Sequence, residues 1–152
     1  MFVLVLARPA DATWSLVAVD PATGEVGVAM ASCGAAAALG DADETLAPMV
    51  LAPGNGAGVV QGTVRPSAIE EMETLLAAGT FSASGIVQTL VEAEEDDSLS
   101  AVRQYAVVVL DDSSGQAGLH SGDETAPASL ALAVDEATAQ GVRLVDRTVI
   151  EE

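Results

Sequence analysis

The chain has 152 residues, enough for one domain, and half of them are apolar, which excludes a disordered segment. Its formal charge of −18 comes from 23 acidic residues against five arginines, so neither nucleic acid nor an anionic membrane is an expected partner. Lysine is absent, which removes lysine nucleophiles and Schiff bases, and one cysteine and one histidine exclude an intrachain disulfide, a cysteine metal cluster and a two-histidine site.

Met1 to Ala7 is apolar but far short of the ~18 residues of a membrane span. It reads as the tail of an export signal; the plainer reading is a first β-strand. Ala10-Asp11-Ala12 follows, with small residues where a signal peptidase wants them. Cleavage there leaves Thr13 as a new N-terminus. The expected organisation is a leader over residues 1–12, a single domain over 13–152, and an extracytoplasmic location.

Thr13 to Asp20 and Glu25 to Cys33 read as two strands joined by Asp20-Pro21-Ala22-Thr23-Gly24, where Pro21 presets the turn and Gly24 takes the left-handed position. Gly34 to Thr45 has no clear period and reads as a loop or a loose helical turn. Met49–Ala52 and Gly58–Val64 are expected as short strands. A helix starts at Pro66, with Ser67 and Glu70 as a capping box, an apolar stripe of Ile69, Met72, Leu75 and Leu76, and Gly79 as its C-terminal cap. A second helix follows Ser82 or Ser84 and turns Ile86, Val87, Leu90 and Val91 inward; Glu94-Glu95-Asp96-Asp97 then reads as a solvated linker.

Arg103 to Leu110 is the strongest strand, and the chain returns through Gln116 to Ser121. The spacing D-x-x-x-G-x-x-G occurs at Asp20/Gly24/Gly27 and again at Asp111/Gly115/Gly118, so the two hairpins look alike. Beyond Pro127 we expect a helix over Ser129–Gln140 and a last strand over Val142–Ile150. With no β-α-β alternation and no phosphate loop, the order fits an α+β fold of two sheets with helices outside.

The candidate nucleophile is Thr13: a terminal threonine carries its hydroxyl and an amine base in one residue. Ser32 and Cys33 lie on the paired strand and are candidate substrate contacts, Cys33 otherwise serving as a small buried hydrophobe. Arg103 either balances a substrate carboxylate or forms a surface ion pair. His120 is a lesser general-base candidate, and Asp20 serves to hold its turn. The Asp96/Asp97 and Asp111/Asp112 pairs are either solvated faces or hard-cation ligands, and the reading we adopt needs no metal or cofactor.

The run from Ala12 to Cys33, ATWSLVAVDPATGEVGVAMASC, resembles the opening of the family catalogued as domain of unknown function 1028. Arg103-Gln104-Tyr105 leading into a Val-rich strand, Leu75 to Gly79, and His120 to Glu124 are similar to further segments of it, so the resemblance covers Ala12 to Pro127. It implies membership of the N-terminal nucleophile (Ntn) hydrolase superfamily: an αββα sandwich, incomplete on its C-terminal side because the tail after Ala126 diverges. It also implies that Thr13 attacks an amide carbonyl. The expectation is an amidohydrolase acting on a small-molecule or peptide amide, which also forms a homo-oligomer. The alternative is a non-catalytic extracytoplasmic binding or assembly domain, or a half-domain completed by a partner chain.

Overall fold

The computed structural model describes residues 13–32, 48–94, 100–111, 114–125 and 129–142. The expected leader, Cys33, the loop at Gly34–Thr45, and Asp96, Asp97 and Asp112 lie outside the described residues.

β1 (Thr13–Asp20) and β2 (Glu25–Ser32) form the expected hairpin. Gly24 closes the turn at φ 74°, where an L side chain would be strained, and its N–H donates to the Asp20 carbonyl at 2.8 Å. β3 (Met49–Ala52) and β4 (Gly56–Gly62) follow, then α1 (Pro66–Ala78) and α2 (Ala83–Glu92). β5 (Arg103–Asp111), β6 (Ser114–Ser121), β7 (Leu130–Val134) and β8 (Ala137–Val142) complete the described elements.

Eight strands build two antiparallel sheets, sheet A in the order β2-β1-β8-β7 and sheet B in the order β3-β4-β5-β6. Val17 and Val19 of sheet A pack against Ala57, Val59, Ala106 and Val108 of sheet B. Both helices lie on the other face of sheet B, where Met72, Leu76, Ile86 and Leu90 are fully buried with Val60, Tyr105 and Val107. Each such side chain contributes about 1.5–3 kcal/mol of burial. The close approach of α2 is made possible by Gly118 on β6: a Cβ there would stand 2.6 Å from the Ala83 backbone.

The layers are therefore sheet, sheet, helices, and the fold is mostly antiparallel β. This corrects the expected Ntn αββα sandwich. Both apolar helical stripes were available for either sheet, and both are spent on sheet B. Among the described residues no helix covers the outer face of sheet A, where the rows Ala29–Leu16–Ala139–Leu132 and Gly27–Ala18–Ala137–Val134 run across the strands. Trp14, Leu16 and Leu132 remain 44%, 42% and 40% exposed on that face.

Two local expectations are also corrected. The Ser67/Glu70 capping box does not form: Pro66 occupies the first helical turn after the N-cap residue Arg65, which makes no side-chain cap bond. Gly79 does cap α1 at φ 64°, and the Ser82 hydroxyl caps α2 by accepting from the Gly85 N–H at 3.1 Å. Ser129–Gln140 is no helix but the β7–β8 hairpin; alternating Leu-Ala-Leu-Ala-Val has the strand period and outweighs the helix preference of alanine. β8 ends at Val142, and the remainder of the expected last strand lies outside the described residues.

Candidate functional site

Alternation along β1 puts Thr13 and Ser15 on the same face as Val17 and Val19, turned toward sheet B. Neighbouring strands run antiparallel, so the start of β1 and the end of β8 share one edge of sheet A, and the end of β4, the start of β5 and the end of β6 share one edge of sheet B. At these edges the layer between the sheets turns from apolar to polar. Ser15, Gln61, Gln104 and Gln140 are buried there, and Thr138 is buried one step further in, in register with Val17.

Thr13 is in register with Ser32 on one side and Val142 on the other. Its Oγ1 lies 2.7 Å from Ser32 Oγ. In sheet B, Gln61 Nε2 donates to Gln104 Oε1 at 2.6 Å, and Gln104 Nε2 donates to Ser121 Oγ at 2.8 Å and across the layer to the Gly141 carbonyl at 3.4 Å. The structure thus brings Thr13 and Ser32 together, beside a wall of neutral hydrogen-bonding side chains. Chemically, the arrangement presents two hydroxyls in contact, with amide groups behind them.

Arg103 is placed elsewhere. It shares the helix-facing side of β5 with Tyr105, on the opposite face of sheet B from Thr13. Its guanidinium donates to Glu94 Oε2 and, through Nε, to the Thr63 carbonyl at 2.8 Å. Arg65 Nε pairs electrostatically with Glu94 Oε1 at 3.7 Å, and the same oxygen accepts from the Tyr105 hydroxyl. The Glu94 side chain is 1% exposed, so the expected solvated linker begins instead with a buried carboxylate. Two guanidiniums and a phenol make that burial tolerable. Burial first, and then the hydrogen bond and charge of Glu94, push the Tyr105 hydroxyl well above the usual phenol range. His120 tilts against the Tyr105 ring at a centroid distance of 5.9 Å, with Nε2 2.9 Å from the Ser100 carbonyl. This cluster fastens the end of α2 to β5.

Asp20 stands at the far end of β1 from Thr13. The Ala22 N–H, 2.9 Å from its Oδ1, and then the Thr23 hydroxyl hold its carboxyl below the usual range. Asp111 accepts from Gln116 Nε2 at 2.9 Å. No group of three or more His, Cys, Asp or Glu among the described residues is arranged to hold a metal ion. No described helix is long and apolar enough to cross a membrane.

Sequence reasoning singled out Thr13 and Ser32 but missed Ser15, Gln61, Gln104, Thr138 and Gln140. The signal was available: Ser15 is in phase with Val17 and Val19, Gln61 with Ala57 and Val59, and Gln104 with Ala106 and Val108. A polar residue at the same end of three inward-facing runs marks a polar end to the core.

No curated protein matches the chain. Among solved structures, protein SPO2555 from Silicibacter pomeroyi, of DUF1028, is similar at a TM-score of 0.71 and 22% identity. The match covers 92% of this chain and 58% of that one, so this chain spans little more than half the length of its structural neighbour. At this identity the likeness shows the fold. The sequence pattern of DUF1028, a family of unknown function, matches residues 13–152. The chain belongs to the DUF1028 family.

Proposed function

We propose that this domain is an Ntn-type amidohydrolase whose nucleophile is Thr13, exposed by removal of residues 1–12 after export. The observation that carries the reading is the position of Thr13, first residue of β1, with its hydroxyl 2.7 Å from Ser32 Oγ at the polar end of the inter-sheet layer. The family match begins at this same residue.

In this mechanism the α-amine of Thr13, with an ordinary pKa of about 7.7–8.0, is neutral often enough near neutral pH to take the hydroxyl proton. Thr13 Oγ1 adds to the amide carbonyl carbon and gives a tetrahedral oxyanion. Collapse breaks the C–N bond, and the proton held by the α-amine leaves with the amine product. Water then adds to the acyl ester, the α-amine again taking its proton, and collapse returns Thr13 with release of the acid. Ser32 Oγ orients the Thr13 hydroxyl. Arg103, on the other face of sheet B, holds the fold through Glu94.

The test uses protein that begins at Thr13, assayed on a panel of acyl anilides and peptide amides. Thr13→Ala should lose turnover by a factor on the order of 10³ or more while unfolding at the same temperature. A fully active Thr13→Ala variant would rule out Thr13 as the nucleophile, and no turnover of any amide by the protein that begins at Thr13 would leave a non-catalytic binding domain as the better reading.

A further inference from the structure

Behind Thr13 the polar layer holds more hydrogen-bonding capacity than the protein uses. Gln140 is wholly buried, and neither its Nε2 nor its Oε1 has a partner. Ser15, 1% exposed and in register with Gln140, has an unpartnered Oγ. Thr138, 2% exposed and two residues along β8, has an unpartnered Oγ1. Gln61, 1% exposed on the facing sheet, satisfies its Nε2 through Gln104 but not its Oε1. Gln104 ties the two sides together through the carbonyl of Gly141, next to Gln140. Buried polar atoms in native proteins are ordinarily paired, and leaving them unpaired is costly. Here four such atoms, on Ser15, Gln61 and Gln140 of two facing sheets, gather at one end of the core, and Thr138 Oγ1 lies one step further in, opposite Val17.

We infer that this cluster is a recognition site for a neutral carboxamide, such as a primary amide or a peptide amide. The inference follows from what the cluster contains. Ser15, Gln61, Gln104, Thr138 and Gln140 carry no charge, and the charged side chain next in sequence, Arg103, faces the helices. A carboxylate or ammonium would be desolvated there without a counter-charge, and an apolar group would leave every free donor and acceptor unpaired. A carboxamide offers an acceptor carbonyl to Gln140 Nε2 and N–H donors to Gln140 Oε1 and Gln61 Oε1, while the two hydroxyls adapt to either role. Ser15 lies two residues from Thr13, about 7 Å along the strand, so a group held here presents neighbouring atoms to the nucleophile. That last step, assigning the carboxamide to a substrate, rests on the hydrolase reading; the binding itself does not.

The experiment titrates the isotope-labelled chain with propionamide and, as charged controls of the same size, propionate and propylammonium, following the side-chain amide resonances of Gln61, Gln104 and Gln140. Propionamide should give saturable shifts and the charged controls none. Gln140→Leu should weaken binding by about tenfold, the loss of one or two buried hydrogen bonds, and should raise the melting temperature because an unpaired amide is replaced by an apolar side chain. Ser15→Ala, a smaller change, should stay folded and bind more weakly. Absence of saturable shifts, equal shifts with propionate, or Gln140→Leu melting lower with binding unchanged would each overturn the inference and leave a site filled by water alone. Propionamide binding in a protein whose Thr13→Ala variant keeps full turnover would uphold the site and remove Thr13 as the nucleophile. Thr13-dependent turnover with no carboxamide binding would do the reverse.

Discussion

The chain has one tyrosine, and its hydroxyl proton is unusually hard to remove. Ionising Tyr105 would place a second negative charge against the buried Glu94 carboxylate, in a site that already disfavours charge. In the unfolded chain the phenol titrates near 10; in the fold it titrates higher. The folded state therefore holds the proton more tightly. Its contribution to stability is complete below pH about 10 and is lost as pH rises through the folded value. Denaturant midpoints should fall as pH rises above about 10, and Tyr105→Phe should flatten that fall; a wild-type profile level through this range would contradict the assignment. Glu94 also shows why part of the molecule was hidden in the sequence. It opens an acidic run, and nothing local distinguishes it from its neighbours. Its partners Arg65 and Arg103 are distant in the chain and become adjacent only when β5 pairs with β4 and α2 packs on the sheet.

At the scale of elements, the two D-x-x-x-G-x-x-G hairpins have the same spacing but different surroundings. Gly118 lies under the first turn of α2, where an added Cβ would meet the backbone of Ala83 at 2.6 Å, whereas Gly27 has nothing within 4 Å. Gly118→Ala should destabilise by about 1–3 kcal/mol, because helix and sheet backbones must separate. Gly27→Ala should change stability by less than about 0.5 kcal/mol. Equal effects in chemical denaturation would show that α2 does not sit against β6 as described. The strands β1, β2, β5 and β6 and both helices were legible because alternation, helical stripes and the turns at Gly24 and Gly79 all agreed. β7 and β8 were not, because an alanine-rich segment supports either period and the choice is made by pairing with β1. Which sheet the helices would cover was equally hidden, since an apolar stripe does not name its partner. The site was half legible: Thr13 and Ser32 could be paired from the hairpin register, but the glutamines converge only when two sheets stack.

For the molecule as a whole, −18 charges on 152 residues make self-repulsion a standing cost to the compact state. Raising ionic strength from about 0.01 M to 1 M shortens the screening length from about 30 Å to 3 Å, so the melting temperature should rise with sodium chloride; a falling value would mean that attractive pairs outweigh the repulsion. The same charge disfavours anionic ligands, which agrees with the neutral carboxamide proposed as the ligand. The proposed hydrolysis depends on Thr13 carrying a free α-amine. The most direct test is the intact mass and N-terminal sequence of the protein taken from its native compartment. We predict a chain that begins at Thr13, with residues 1–12 gone; a mature chain that still begins at Met1 would leave Thr13 without its base and contradict the mechanism.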